Sequence, residues 1–155
     1  MTKRMKEPTV EFSRPLLVAR VPASGAHEKL KADETECNRL AKRFQVPAIH
    51  SLTAELKVKP WRGGGFKVTG TATADLEQTS VISLEDFRHT VSFDVERYFL
   101  PHAPAPEEDL DVDVINHGEI DLGEVVAETV ALELDPYPRK PGEAFNPPPG
   151  EGQGS

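Results

Sequence analysis

The sequence predicts an α+β fold in which an antiparallel, partly curled β-sheet, a meander, packs with two helices between disordered termini. Two observations carry this prediction. Residues 51–99 contain long stretches in which apolar and polar residues alternate, the pattern of strands with one buried face. Asp33 and Asp121 each precede an apolar stripe of helical spacing and have a glutamate three residues later, as helix N-caps do.

Length and composition fit one domain with tails. The chain has 155 residues, 14 prolines and 11 glycines, and 37% of it is hydrophobic. We assign residues 9–140 to a single domain, residues 1–8 to a disordered basic tail and residues 141–155 to a disordered Pro/Gly-rich tail. No apolar run approaches the roughly 20 residues of a membrane helix. The basic N-terminus lacks the apolar segment of a secretory signal, so we expect a cytoplasmic protein.

The N-terminal third should contain short strands, a connector and one helix. Residues 9–21 are apolar and β-prone, with a proline that suits an edge or a bend, and residues 22–32 are predicted to be a connector. Asp33 and Glu36 form a variant of the capping box at the start of the helix. The helix should end near Gln45, because Pro47 disfavours helical backbone at the residue before it.

The strands of the meander follow. Alternation runs through residues 51–60, 65–77 and 87–99, and WRGGG at residues 61–65 is predicted to form a hairpin loop. Residues 78–86 should carry a further short strand that ends in a turn. Small inward-facing residues suggest that something packs closely on the second strand, and the first helix is the natural candidate. These small residues are Gly70, Ala72 and Ala74.

The C-terminal part predicts a loop and a second helix. Residues 101–119 are rich in proline and acid, as expected of a mobile surface loop. Asp121 should cap the helix that follows. Glu124 and Glu128 are like charges one turn apart, which is mildly destabilising, so the helix is expected to be shorter than its pattern, with residues 131–136 partly extended.

The residues indicate no catalysis, metal site or cofactor. Cys37 is the only cysteine, and its place on the apolar helix face predicts a buried core thiol. The histidines lack the spacing of metal ligands, and His89 is expected to be a hydrogen-bonded core residue. The glycines at residues 63–65 lack the lysine and hydroxyl of a phosphate-binding loop. We therefore predict that the protein is not an enzyme.

Charge is divided unevenly along the chain. Residues 1–100 hold 16 basic and 13 acidic residues, a net charge of +3, whereas residues 101–155 hold 2 and 13, a net charge of −11. Basic residues near an exposed tryptophan are typical of RNA contact, although a solvated face is the alternative. The candidate RNA-binding residues are Arg39, Lys42, Arg43, Lys57, Lys59, Trp61, Arg62 and Lys67.

The acidic half could attract a basic partner, and the alternative is again a solvated face that keeps the protein soluble. The predicted acidic surface runs from Glu107 to Glu133. The candidate partner-binding residues are Glu119, Asp121, Glu124 and Glu128.

The C-terminal motifs resemble those of a known family. They are the acidic turn Glu119-Ile120-Asp121-Leu122 and the helix ending L-x-L-x-P-x-P from Leu132 to Pro138. From Val10 to Pro141 the chain is similar to the YceD family, the large ribosomal RNA subunit accumulation proteins (domain-of-unknown-function family 177), and to its alphaproteobacterial branch. Many members carry a C-x2-C pair that this chain lacks, so the resemblance carries over no zinc or redox chemistry.

The resemblance implies a role in accumulation of 23S rRNA and in assembly of the large ribosomal subunit, with no catalysis. It implies a ribosome-biogenesis partner such as the basic ribosomal protein L32, and no membrane or DNA. Together with the charge division, it leads to the hypothesis of an adaptor between precursor 23S rRNA and a basic ribosomal protein. The alternative is a protein-only interaction module, and a third reading is a small-molecule site in the concave side of the sheet.

Overall fold

The computed structural model describes residues 11–108 and 111–143, and the predicted tails at residues 1–8 and beyond Glu143 lie outside these ranges. The predicted domain boundaries remain a prediction. The strands and helices are β1 (Pro15–Leu17), β2 (Ala26–Lys31), α1 (Glu34–Phe44), β3 (Ala48–Trp61), β4 (Gly65–Thr79), β5 (Asp86–Leu100), β6 (Asp113–Val114), β7 (Glu119–Asp121) and α2 (Leu122–Glu133).

The main sheet has five strands in the order β2-β3-β4-β5-β6. The first four form an antiparallel meander, and the short β6 joins β5 in parallel. A separate antiparallel pair joins β1 to β7. Both helices pack on one face of the main sheet, α1 against β3 and α2 against β5, and the core lies between. The predicted α+β class with an antiparallel sheet is confirmed.

Helix α1 follows the sequence prediction closely. The Asp33 carboxylate accepts from the backbone N–H of Glu36, and the Glu36 carboxylate accepts from that of Asp33, so the capping box is complete. Gln45 ends the helix in the left-handed conformation. Cys37 and Leu40 are buried on the face toward β3.

Two predictions about the strands are wrong. The predicted connector at residues 22–32 contains β2, an edge strand in which only Leu30 is fully buried, so its apolar pattern is weak. The extra strand predicted at residues 78–86 is absent, because β4 runs to Thr79 and a turn leads directly into β5. The Ser80 hydroxyl holds this turn by accepting from the backbone N–H groups of Ile82 and Ser83.

The close approach at Gly70 is to a neighbouring strand and not to a helix. Gly70 has φ of +154°, and a Cβ there would lie 2.0 Å from the carbonyl oxygen of Glu55 on β3. Only glycine tolerates both the backbone conformation and the contact. The expectation that α1 causes the small residues of β4 is therefore wrong at this position.

Helix α2 runs to Glu133, and Leu134, which follows it, has extended backbone, so the segment of residues 131–136 is helical in its first half and leaves the helix in its second. Most of the residues of α2 are buried. Gly123 packs so tightly that a Cβ at this position would lie 2.4 Å from the carbonyl oxygen of Phe12. Arginines pair with the two acidic side chains that were expected to weaken the helix, as described below.

The acidic segment after β5 is more ordered than a mobile loop. It contains a 3-10 turn at Pro106–Glu108, β6 and β7, and the N–H of Ile115 donates to the carbonyl of Leu100. The first residues of the predicted C-terminal tail, 141–143, are described and make contacts with the domain. Glu143 accepts from the Ser80 hydroxyl and from the backbone N–H of Lys140, and this ties the segment after α2 to the β4–β5 turn. Within residues 11–108 and 111–143, no helix is long and apolar enough to cross a membrane.

Candidate functional site

The face of the sheet opposite the helices carries the sequence-predicted cations of β3 and β4. Alternation along β3 buries Leu56 and Val58 and turns Lys57 and Lys59 to the other face. In register, Lys59 lies opposite Lys67, and Lys67 lies opposite Tyr98 of β5. Three neighbouring strands thus bring these side chains together at the end of the sheet near the β3–β4 hairpin.

Aromatic rings lie among these cations. The ring centroids of Trp61 and Tyr98 are 4.7 Å apart. The Arg62 guanidinium lies 4.9 Å from the centre of the Trp61 ring, and the Lys67 ammonium lies 5.6 Å from that of Tyr98. We call this group the basic–aromatic cluster. Its members are Lys57, Lys59, Trp61, Arg62, Lys67 and Tyr98.

Tyr98 was not among the candidates from sequence. The alternation along β5 does place Tyr98 on the polar face of the strand with Glu96. The sequence does not reveal the cross-strand register, however, and that register brings Tyr98 close to Trp61. Its hydroxyl donates to the Glu96 carboxylate at 2.6 Å. That hydrogen bond, more than desolvation, raises the pKa of Tyr98, so the phenol is neutral and acts as a donor.

The cluster has the chemistry to bind a flexible polyanion. Ring faces stack on unpaired bases, and lysine and arginine neutralise phosphates. Lysines directly opposite each other across a β-ladder repel, and a bound anion would relieve that repulsion. Glu96 is the carboxylate that contacts the cluster, through Tyr98, among the residues that the structure describes.

The helical cations do not join this cluster. Arg39 and Lys42 are exposed on α1, which packs on the other face of the sheet. Arg43 is half-buried, and its guanidinium binds Glu11 at 3.1 Å and Glu124 at 3.1 Å. The hydrogen bond with Glu124 is the main reason that the pKa of Arg43 is raised. The single basic surface predicted from sequence is therefore divided between two sides of the molecule.

Most of the predicted partner-binding acids have internal contacts instead. Asp121 caps α2 and also accepts from the Ser13 hydroxyl and from the backbone N–H of Arg14. Glu128 lies 2.8 Å from Arg97, which also pairs with Asp113. Glu119 is exposed on β7.

The remaining acid of that set, Glu124, pairs with Arg43 but is partly desolvated. Burial raises its pKa, Arg43 opposes that effect, and the nearby Glu128 adds to it. Asp121, Glu124 and Glu128 thus have partners within the fold, and these contacts limit their availability to a partner protein.

The other candidate reactive groups have structural roles. Cys37 is buried, and desolvation raises the pKa of its thiol, which disfavours the nucleophilic thiolate. His89 lies 2.8 Å from the Gln78 side-chain oxygen and packs on Phe87, as predicted for a hydrogen-bonded core histidine. Among residues 11–108 and 111–143, no group of three His, Cys, Asp or Glu side chains could hold a metal ion.

The fold and these surfaces are those of an α+β domain with one helix-covered and one open sheet face. Comparison with protein families identifies it further. The family model described as "Large ribosomal RNA subunit accumulation protein YceD" matches residues 68–155, and the chain belongs to this family. Searches of the curated proteins and of the solved structures found no match to the chain.

The family match begins later and ends later than the resemblance seen in the motifs. It includes most of β4 and all of β5, β6, β7 and α2. The β3–β4 hairpin, with Lys57, Lys59, Trp61, Arg62 and Lys67, precedes the matched range. Tyr98 and the acidic turn before α2 lie within it.

Proposed function

We propose that this chain is a non-enzymatic factor that promotes accumulation of 23S rRNA during assembly of the large ribosomal subunit. In this proposal it contacts precursor RNA through the basic–aromatic cluster. Family membership supports the ribosomal role. The observation that carries the RNA contact is the opposition of Lys59 and Lys67 beside Trp61 and Tyr98, on a sheet face that neither helix covers.

The cluster is better suited to single-stranded than to duplex RNA. Bases in a duplex are stacked on each other, whereas an unpaired base can stack on an aromatic ring or on a guanidinium plane. Trp61 and Tyr98 offer two neighbouring rings, and Arg62 covers one ring with a planar cation. The open sheet face beyond them carries threonines, which leave room for a strand of RNA. These are Thr69, Thr71 and Thr73.

Salt-dependent binding of a single-stranded RNA oligonucleotide tests the RNA contact. Removing two phosphate contacts with the double variant Lys59→Ala/Lys67→Ala should weaken binding and lower the slope of log K against log salt by about 1.4, or about 0.7 for each contact. Trp61→Leu should weaken binding with little change of slope, because it removes stacking and not charge.

The matched control is Arg39→Ala/Lys42→Ala, which removes the same number of charges from the helix-covered side. It should leave affinity and slope nearly unchanged. If the two double variants have equal effects, RNA binding is a matter of overall charge and the assigned surface is wrong. If neither has an effect, the RNA contact itself is refuted.

In cells, the ratio of mature 23S to 16S rRNA tests the ribosomal role independently. Depletion of the protein should lower the ratio, the wild-type gene should restore it, and the Lys59→Ala/Lys67→Ala gene should restore it only in part. An unchanged ratio on depletion would separate this chain from the role that its family name describes.

The adaptor role is the second half of the proposal. It requires a basic protein partner, for which a ribosomal protein such as L32 has the appropriate charge. The exposed acidic residues of the C-terminal half favour such a partner. Crosslinks to protein and never to RNA would favour the alternative, a protein-only interaction module.

A further inference from the structure

We propose that the unpaired edge of β5 binds an extended, lysine- or arginine-rich segment of a partner protein as an added β-strand. This inference rests on the adaptor half of the proposed function and assigns its protein partner to a place in the fold. Strand addition at an exposed sheet edge is a general mode of peptide recognition, in which main-chain hydrogen bonds give affinity and side chains give specificity.

Most of the outer edge of β5, the edge away from β4, has no paired strand. β5 pairs with β4 along its whole length, from Asp86 to Phe99, but β6 covers its other edge only at Phe99 and Leu100. In the part of the chain that the structure describes, no other backbone group pairs with this edge. We call residues Thr90 to Glu96 the open edge.

The direction of the backbone groups along the open edge follows from Leu100, which lies further along the same strand. The carbonyl of Leu100 accepts from the N–H of Ile115 at 2.8 Å, so it points away from β4. Backbone groups of alternate residues in a strand point the same way. The N–H and C=O groups of Ser92, Asp94 and Glu96 therefore point outward, where an incoming strand can pair with them.

The side chains along the edge favour a basic segment. Asp94 and Glu96 are exposed on the open sheet face. A cleft of about 730 Å³ lies beside the edge near the end of α2, and its lining holds four acids against two arginines: Glu96, Asp111, Asp113 and Glu128 against Arg43 and Arg97. The arginines of this cleft, Arg43 and Arg97, already pair with acids. The electrostatic surplus is therefore negative.

The cleft also favours a bound peptide in which two kinds of side chain alternate. Leu132 lies on its lining with 83% of its surface exposed. Successive side chains of an added strand point to opposite faces. One set would meet Asp94 and Glu96 on the open face, and the other would cover Leu132 on the helix side. The expected ligand alternates basic and aliphatic residues.

The same charges disfavour the other possible occupants. A second copy added edge to edge would bring Asp94 and Glu96 against each other, and acidic side chains at an edge are a common protection against such pairing. RNA phosphates would also be repelled. A basic polypeptide is the occupant that both the backbone and the side chains accommodate.

Binding of a synthetic ten-residue peptide of alternating lysine and valine tests the proposal. It should bind the full chain, and N-methylation of alternate backbone amides should weaken it by about tenfold for each hydrogen bond lost. Asp94→Asn/Glu96→Gln should weaken it by a similar factor. The control Glu55→Gln alters an exposed acid of an interior strand on the same sheet face and should have no effect.

Amide hydrogen exchange locates the peptide. Exchange at Ser92, Asp94 and Glu96 should slow on binding, whereas exchange at exposed turns should not change. Equal binding of the N-methylated peptide, or protection elsewhere in the chain, would overturn the proposal. So would failure of the unmodified peptide to bind.

The two halves of the adaptor can fail separately. Asp94→Asn, which leaves the hydrogen bond between Tyr98 and Glu96 in place, should still bind the RNA oligonucleotide, and Lys59→Ala/Lys67→Ala should still bind the peptide. If the wild-type chain binds the RNA oligonucleotide but not the peptide, only the edge is refuted, and if it binds the peptide but not the RNA, only the basic–aromatic cluster is refuted.

Discussion

Basic residues have different surroundings on the two faces of the sheet: they form partly buried ion pairs on the helix-covered face and are more exposed on the open face. On the helix-covered face, Arg97 of β5 reaches Asp113 and Glu128, and only 25% of its side chain is exposed. On the open face of the same strand, Arg88 pairs with Asp75, and 58% of its side chain is exposed. A few residues away, Lys67 meets an aromatic ring in place of a carboxylate.

The difference shows that charge counted along a sequence does not reveal its role. Burial disfavours the charged form of Arg97, yet hydrogen bonds with Asp113 and Glu128 outweigh that effect and raise its pKa. The ion pairs of Arg97 with Asp113 of β6 and with Glu128 of α2 hold these two elements on the sheet. Among residues 11–108 and 111–143, no carboxylate forms a salt bridge with the cations of the basic–aromatic cluster, so these cations can exchange water for a ligand.

Replacing the committed arginine should have the largest effect. Arg97→Met keeps the aliphatic stem but leaves two partly buried carboxylates without their cation. The free energy of unfolding should fall by about 2 kcal/mol, which lies below the usual range for a fully buried pair because the site is partly exposed. Urea denaturation followed by circular dichroism measures this change.

Arg88→Met is the matched control on the same strand. Its pair with Asp75 lies at the surface, where water screens the two charges, so its loss should change the denaturation midpoint little. Equal losses in the two variants would contradict the assignment of different roles to the two faces.

The two glutamates of the helix-covered face should give pH effects of opposite sign. The hydrogen bond with Arg14 lowers the pKa of Glu36 below its ordinary value of 4.5. Glu36 therefore contributes stability above that value, and the contribution is lost as the pH falls through its folded-state pKa. Glu36→Gln should flatten the acid limb of a stability-versus-pH curve.

Glu124 should behave in the reverse way. Burial raises its pKa above 4.5, so its contribution is present below that value and is lost as the pH rises through the folded-state pKa. Glu124→Gln should therefore become relatively more stable than wild type as the pH rises through this window. Parallel curves for the two variants would show that the two Arg–Glu pairs have the same surroundings.

The smallest effect on stability is expected on the open face. Lys59→Ala should change the free energy of unfolding by no more than about 0.5 kcal/mol, because the side chain is exposed and opposes another lysine. Thermal unfolding beside the RNA titration would separate function from folding. A clear destabilisation would mean that the cluster supports the hairpin and is not reserved for a ligand.

Sequence patterns predicted the elements whose structure depends on neighbouring residues. They failed for elements whose structure depends on contacts with distant parts of the chain. Helix α1 was predicted to within a residue at its ends, because its cap and its stop lie in adjacent sequence. β2 was missed because it buries little, and the turn after β4 was mistaken for a strand because Val81 and Ile82 are apolar yet exposed.

The candidate sites show the same limit. Residues alternating on β3 and β4 were correctly grouped around Trp61, because a hairpin keeps neighbours in sequence close in space. Arg43 and Glu124 were assigned to separate surfaces, yet they pair across 81 residues of sequence. Helical periodicity identifies the face of a side chain but not the element that packs on it.

The anchoring of the N-terminal segment on α2 determines the order in which the protein can be completed. Asp121 holds the backbone of Arg14 across 107 residues, and the Phe12 side chain is fully buried. During synthesis, the strands from β2 to β5 can pair while the chain is still growing. The Phe12 side chain remains exposed to water until α2 has been synthesised and can pack on it. The nascent chain therefore keeps this apolar side chain exposed until the residues of α2 have been synthesised, and the contacts of Phe12 and Arg14 stabilise the fold only from that point on.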